Sequence, residues 1–388
     1  MNHSFEDISA QLKKRHRKSA RLKWMSMGAL GLAGLFLVLF FADMLVKGLP
    51  AFQQAQVQAE VQYTEQAAEI PLAALDEEMR PLVSRGYLRL IPQRMEADSD
   101  LLGTTRTEWV LADSAVDQYL KGHKTSLNAS QQAVVDRLAS EGRAELKFNT
   151  TFFTKGDSKM AEYAGIASAA FGTMMTLLVT LAVAFPIGVM TAVYLEEFAP
   201  DNRFTQLIEI NINNLAAIPS ILFGLLGLAI FIGFFGVPRS SPVVGGLTLA
   251  LMTLPVIIIS TRSALRSVPD SIRHAAFGVG CSRWQMVRDH VLPVSFPGIL
   301  TGSIIGLAQA MGETAPLIIV GMVAFIPDIT GSFTEAATVL PAQIFTWAGE
   351  PDKAFVEKTS GGILVLLAVL IFMNATAVVL RKKFERRW

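Results

Sequence analysis

The 388-residue chain has one cysteine, Cys281, which excludes an internal disulfide and any cysteine-based zinc site. Charge is scarce. Only 17 % of residues are Asp, Glu, Lys or Arg, against about 25 % in an ordinary soluble domain. Neither sign dominates: the formal net charge is +1, so the basic footprint of a nucleic-acid binder is missing. There is no Gly-x-x-x-x-Gly-Lys-Ser/Thr loop, so the chain carries no such motif for holding ATP phosphates. No nucleophile–base pair and no metal-ligand cluster stands out, and neither catalysis nor a metal or other cofactor is expected. What is abundant is apolar surface. Hydrophobic residues make up 51 % of the chain, bunched into runs that reach the roughly 20 residues a helix needs to span a bilayer. The chain reads as a polytopic membrane protein.

Residues 1–23 are polar and basic, with Lys13, Lys14, Arg15, Arg17, Lys18, Arg21 and Lys23. The first apolar run, 24–46, is too long for a signal-peptide core and lacks a clear small-x-small cleavage site, so it reads as a retained anchor. Trp24 suits the interface, where amphipathic rings are favoured. Residues 47–160 have ordinary charge density and no membrane-length run. Periodicity predicts a helix over 130–141, capped by Ser126 or Ser130, and strands over 86–91 and 144–153. This is a small mixed α/β domain.

Beyond it, residues 163–195 predict one tilted or kinked span containing Pro186 and Gly188. Residues 196–203 form a loop. Spans follow over 210–237, with Asn211, Asn213 and Asn214 at the start and Pro219 near the entrance, and over 243–260. An amphipathic insert precedes the span over 297–326, which Glu313 interrupts. A polar loop over 327–358 leads to the last span, 359–380, and to the basic segment 381–388. With six spans, both ends share a side. Both are basic, so the positive-inside rule places them in the cytoplasm and the 47–160 domain outside. The expected organisation is therefore a cytoplasmic N-terminus (1–23), a first helix (24–46), an extracytoplasmic domain (47–160), a transmembrane domain (161–380) and a cytoplasmic tail (381–388).

The insert, 267–292, predicts two short helices around a tight turn. Pro269 suits a first turn, and Asp270 and Ser271 favour the positive end of the helix dipole. Ile272, Ala275, Ala276 and Val279 share a face, Gly280 is a natural stop, and Ser282 can cap the second helix leading to Pro293. Ala275 and Ala276 offer a nearly bare surface for another protein's groove. Periodicity equally fits an amphipathic loop resting on lipid headgroups.

Gly298, Gly302 and Gly306 recur every fourth residue, a small-residue face for close helix packing. Gln309 and Glu313 continue the same face. With Thr314 they are the candidate residues of a translocation pathway or gate. An ionised group at mid-membrane costs about 2.5–3.5 kcal/mol, so Glu313 is expected to face protein or a pathway. Both gating and a structural ion pair fit it, whereas direct contact with an anion does not. Pro316 predicts a kink just beyond. Asn213 and Asn214 read as cap or packing residues, and Arg262 and Arg266 as interface anchors.

The stretch Ala275-Ala276, Gly280, Val291-Leu292-Pro293 resembles the signature of permease subunits of ABC importers. The resemblance runs from about 164 to 323. Asn214-Leu215-Ala216-Ala217-Ile218-Pro219-Ser220-Ile221-Leu222-Phe223-Gly224 and Gly312-Glu313-Thr314-Ala315-Pro316-Leu317 are similar to the phosphate-specific, PstA-type branch. His274 stands where the family usually has Glu, and Gln309 where it often has Arg. The resemblance implies six transmembrane helices of the type I importer permease (MetI-like) fold. It implies that His274, Ala275, Ala276, Gly280, Ser282, Leu292 and Pro293 form a coupling helix docked on an ATPase. It also implies a PstC-like second permease, a PstB-like ATPase dimer, a PstS-like extracytoplasmic binding protein, inorganic phosphate as substrate and a bacterial inner membrane. The competing expectations are a permease for sulfate or molybdate, and a membrane sensor using the outer domain as its receptor.

Overall fold

The computed structural model describes residues 5–384. Five of its helices are long and apolar enough to cross a membrane, and a sharply bent pair raises the number to six. Helix α1 (Phe5–Gly48) carries the basic stretch and the first apolar run without a break. The last basic residues, Arg386 and Arg387, lie outside the described residues.

A sheet domain follows. β1 (Gln53–Gln62) lies between β2 (Thr105–Leu111) and β3 (Ala144–Phe148), antiparallel to both. Val57 pairs with Val110 on one side and Ala144 on the other. Strict alternation puts Ala55, Val57, Ala59 and Val61 in the core, each fully buried. Each buried valine contributes roughly 1.5–3 kcal/mol. The short α2 (Glu65–Glu69) leads to α3 (Arg85–Ala97), where a strand was expected over 86–91. Ser84 Oγ accepts from Gly86 N at 3.1 Å, and Tyr87, Leu88, Ile91 and Met95 bury one face at helical spacing. The cap and the 3.6-residue period outweigh the short alternation. α4 (Ser114–Leu120) and α5 (Ala129–Ser140) complete the layer. The cap of α5 is Asn128 in a capping box with Gln131, rather than Ser126 or Ser130. After β3 the chain turns into α6 (Thr150–Thr154).

The bundle begins with α7 (Ala167–Val193), one continuous helix with Pro186 inside, ending in a π-helical turn, Tyr194–Phe198. The span expected over 210–237 is broken. α8 (Arg203–Ala216) and α9 (Ser220–Leu226), which continues as a π-helix to Phe234, meet at 105°. Pro219 has no N–H to donate, and it disfavours helical backbone at Ile218. α10 (Pro242–Arg266) is the central helix, packed on α7, and more than half of its most apolar stretch is buried (56 %). The insert forms α11 (Asp270–Gly278), α12 (Arg283–Met286) and a π-helical turn to Val291.

α13 (Leu292–Gly312) then packs along α10. It stops at Gly312 rather than kinking past Glu313: the Glu313 backbone is extended (ψ 125°), and α14 (Ala315–Ile319) restarts the chain. The region expected as a polar loop over 327–358 contains the apolar α15 (Leu340–Ala348), whose Trp347 is buried. The last helix, α16 (Ala354–Phe384), begins before the predicted span. α1 crosses it at Gly48, where a Cβ would sit 2.6 Å from Leu364 Cδ1. From residue 12 to 40 every α1 side chain is exposed.

Candidate functional site

Two features of the bundle carry polar chemistry: an ion-paired insert at one end, and two broken helices that meet inside it.

The insert is built by local rules. Gly280 has φ +86°, a left-handed conformation in which a Cβ is strained. It ends α11 and turns the chain. Ser282 then caps α12: its Oγ accepts from Gln285 N at 3.3 Å, while Gln285 Oε1 accepts from Ser282 N at 2.9 Å. Ala276, Met286, Val287 and Val291 bury themselves against Leu265 and Val268. Ala276 is thus part of the insert's own core and does not offer the bare surface expected of it, because Ile272 and Ala276 share the face that turns inward. His274, Ala275 and Gly280 are exposed, as is Ser282, while Leu292 is half-buried and Pro293 exposed. The sequence reading missed two large exposed apolar groups, Phe277 and Trp284, and Val279, expected on the face of Ile272 and Ala276, is exposed beside them. Three apolar residues within eight positions, on a segment otherwise polar, were the available signal.

Arginines tie this insert to the helices above it. Arg273 Nη2 donates to Glu197 Oε1 at 2.7 Å and to the Leu265 carbonyl at 2.9 Å, and its Nη1 donates to the Val268 carbonyl at 2.7 Å. The Glu197 side chain is 5 % exposed. Arg262 bridges two elements, with Nε on Glu196 at 3.1 Å and Nη2 on Glu209 of α8 at 2.6 Å. Arg266 Nε meets Glu196 at 2.8 Å. Arg262 and Arg266 therefore act as ion-pair partners, not as simple interface anchors. Glu196 and Glu197, read as loop residues, sit on the π-helical turn that ends α7. The planar guanidinium fork suits this: one arginine reaches several acceptors with little loss of freedom.

The second feature lies at the helix breaks. Gly298, Gly302 and Gly306 all face α10. A Cβ on Gly298 would sit 2.8 Å from Ala264 Cβ, one on Gly302 would collide with Ser260, and one on Gly306 would lie 3.3 Å from Thr253 and Val256. Beyond them Gln309 is exposed, and Glu313 and Thr314 are half-buried. Among the described residues no cation pairs with Glu313, so no ion pair within the described chain holds it. The break before it is packed on the other break: a Cβ on Gly224 of α9 would approach Pro316 Cα to 2.7 Å. Asn213 and Asn214 are exposed on α8, and Asn211 Nδ2 donates back to the Leu207 carbonyl at 2.7 Å. The chain of contact is continuous, from α11 through Arg273 to the end of α7, through Arg262 to α8, around the bend to α9, and onto α14 beside Glu313.

A helical bundle with interrupted spans and a charged insert clamped to one end is the architecture of a membrane permease, and the class is settled by the family to which the chain belongs. The family comparison agrees. Residues 184–388 match the model described as "Binding-protein-dependent transport system inner membrane component", and the chain belongs to that family. It is a permease subunit of an ABC importer, a class that works with an ATPase and a substrate-binding protein. A second model, "Domain of unknown function (DUF3333)", matches residues 9–96. Among similar proteins, "Phosphate transport system permease protein PstA 1" of Mycobacterium tuberculosis is 32 % identical over 58 % of this chain and 72 % of its own length. The PstA protein of Yersinia pestis is 29 % identical over 56 % and 73 %. The "Probable ABC transporter permease protein YqgI" of Bacillus subtilis is 34 % identical over 46 % and 59 %. A solved structure of the MetNI methionine ABC transporter aligns over 55 % of this chain and 95 % of its own at 19 % identity and a TM-score of 0.46.

Proposed function

We propose that this permease imports inorganic phosphate, forming half of a pathway completed by a PstC-like permease. The observation that carries the reading is the similarity to PstA proteins over nearly three-quarters of their length (72 % and 73 %). In this reading the protein sits in a bacterial inner membrane with both termini in the cytoplasm. The 47–160 domain lies outside, where a PstS-like protein delivers substrate, and the 267–292 insert docks on a PstB-like ATPase dimer. Phe277, Val279 and Trp284 supply the apolar contact, with His274, Ala275 and Gly280 beside them. ATPase closure pushes the insert. Arg273 and Arg262 carry the push to α7 and α8, and the bend at Pro219 converts it into movement of α9 against Pro316. Glu313 and Thr314, with Gln309 one turn earlier, form the gate. A carboxylate repels phosphate, so Glu313 sets a barrier rather than a binding site.

Labelled phosphate uptake in a strain lacking this chain tests the substrate. Uptake should be lost on deletion and restored by the wild-type chain. Loss of sulfate or molybdate uptake instead, with phosphate uptake intact, would overturn the assignment. Gly280→Pro tests the coupling, because proline holds φ near about −65° and cannot adopt the observed +86°. Co-purification with a Walker-motif ATPase should be lost together with uptake. An ATPase association that survives the substitution would sink the docking role, and uptake regulation without any ATPase would favour a sensor.

A further inference from the structure

The sheet domain holds a cavity of about 720 Å³, walled by α3, the 71–83 loop and the chain ahead of α5. Its lining has two unlike parts. Val83, Leu88 and Leu127 are buried and form an apolar floor. Arg80, Arg85 and Arg89 form an exposed rim. Arg85 and Arg89 stand one turn apart on α3, the spacing at which like charges repel on a helix. Arg80 is held in place, its Nε donating to the Leu72 carbonyl at 3.0 Å and the Leu75 carbonyl at 3.1 Å, which leaves its terminal nitrogens for a ligand. The one carboxylate in the lining, Asp113, attracts Arg85 but spends an oxygen capping α4, accepting from Ala115 N at 3.0 Å. The rim therefore keeps a net positive charge. The size falls within the roughly 300–1,000 Å³ of small-molecule sites and exceeds what a bare oxyanion fills.

The geometry points to a binding site for an organic phosphate monoester, its phosphate on the three guanidiniums and its carbon body on the apolar floor. Guanidinium forks match phosphate oxygens, and three of them exceed what a single carboxylate satisfies. The position makes the site regulatory. Asp113 and Ala115 line the cavity at the start of α4. Two turns on, Lys121 Nζ reaches Glu357 of α16 at 2.5 Å. A ligand that draws Arg85 away from Asp113 pulls on the same short helix that grips a membrane helix.

The test is calorimetric titration of the full chain in lipid nanodiscs, in phosphate-free buffer, with phenyl phosphate, inorganic phosphate and phenol. Phenyl phosphate should bind saturably and at least about tenfold more tightly than either fragment. The double substitution R85Q/R89Q should weaken it by about tenfold or more, as expected for lost charge-assisted hydrogen bonds, and R89Q alone should give an intermediate affinity. Both arginines are exposed, so the unfolding temperature should not move. Unchanged affinity in the double variant, or no saturable binding to the wild type, would overturn the site. Equal affinities for phenyl phosphate and inorganic phosphate would overturn the role of the apolar floor. The titration needs no transport, so its outcome stands apart from the identity of the imported substrate.

Discussion

The two ends of the bundle are both held by cation–carboxylate contacts, yet they are built for different work. At the sheet end, Lys121 and Glu357 meet with side chains only 4 % and 5 % exposed, and Asp117 and Gln118 complete the cluster. At the insert end, Arg262, Arg266 and Arg273 share Glu196, Glu197 and Glu209 with exposures from 5 % to 60 %. A buried pair is costly to break, because the survivor is left as an unpaired charge in a poor solvent. Partly exposed pairs can exchange partners with water at modest cost. The sheet end is a fixed joint, and the insert end is a joint that can move.

The largest effect should come from breaking the fixed joint. Lys121→Met should destabilise by about 3–5 kcal/mol, measured as a lowered unfolding temperature in lipid, because it strips both Glu357 and Asp117 of their cation. Adding Glu357→Leu to Lys121→Met should recover the part of that loss owed to Glu357, with Asp117 still unpaired. If the single and double variants melt alike, the pair is not what holds the joint. Next comes Gly302→Leu, which forces a side chain into Ser260. Overpacking costs about 1–3 kcal/mol, and the same variant should slow uptake by separating α13 from α10. At the insert end, Arg273→Gln leaves Glu197, 5 % exposed, without its cation, but the arginine side is 16 % exposed and open to water. The melting temperature should therefore fall by less than in Lys121→Met while ATP hydrolysis is uncoupled from uptake. A melting loss as large as that of Lys121→Met would erase the contrast between the joints. Arg266→Gln removes the most exposed contact, with the arginine 60 % exposed, and should cost under about 1 kcal/mol, less still in high salt.

A last, smaller test concerns pH. Glu162 carries a raised pKa: burial pushes it up, the Ser84 hydroxyl donating to it pulls it down, and Asp113 and Asp352 push it up again. Its folded-state pKa lies above the unfolded value. Its stabilising share is therefore present below the ordinary carboxylate range and is lost as pH rises through the raised value. Unfolding temperatures across that window should fall with pH in the wild type and fall less steeply in Glu162→Gln, with Asp113, also raised by burial, leaving a residual slope. Parallel slopes would show that Glu162 does not contribute.

Much of this was legible in sequence because membrane-length apolar runs and capping patterns are local. The turn at Gly280 and the Ser282 cap follow from residue type and spacing alone. The strand β1 was equally legible, since its polar and apolar residues alternate from Gln53 to Gln62, yet it passed unread beside the anchor. The bend at Pro219 was marked by its proline but not its angle, because the angle depends on what α9 packs against. The arginine clamps were not legible. Arg262 and Glu209 lie 53 positions apart, and only the fold brings them together. The same holds for the arginine-rimmed cavity, whose residues come from separate segments.

The geometry of α1 has a mechanical consequence. The helix runs 44 residues, about 66 Å at 1.5 Å per residue, roughly twice the hydrocarbon thickness of a bilayer. It emerges from the membrane as a rod, with Lys13, Lys14, Arg15, Arg17, Lys18, Arg21 and Lys23 distributed around its circumference. Sliding the rod inward would drag Lys23 into hydrocarbon, at about 2.5–3.5 kcal/mol for each charge reaching the centre. Sliding it outward is opposed at Gly48, where the rod is seated against Leu364 and Ser360. Translation is opposed at both ends, and among the described residues the packing that seats α1 is its crossing with α16 at Gly48.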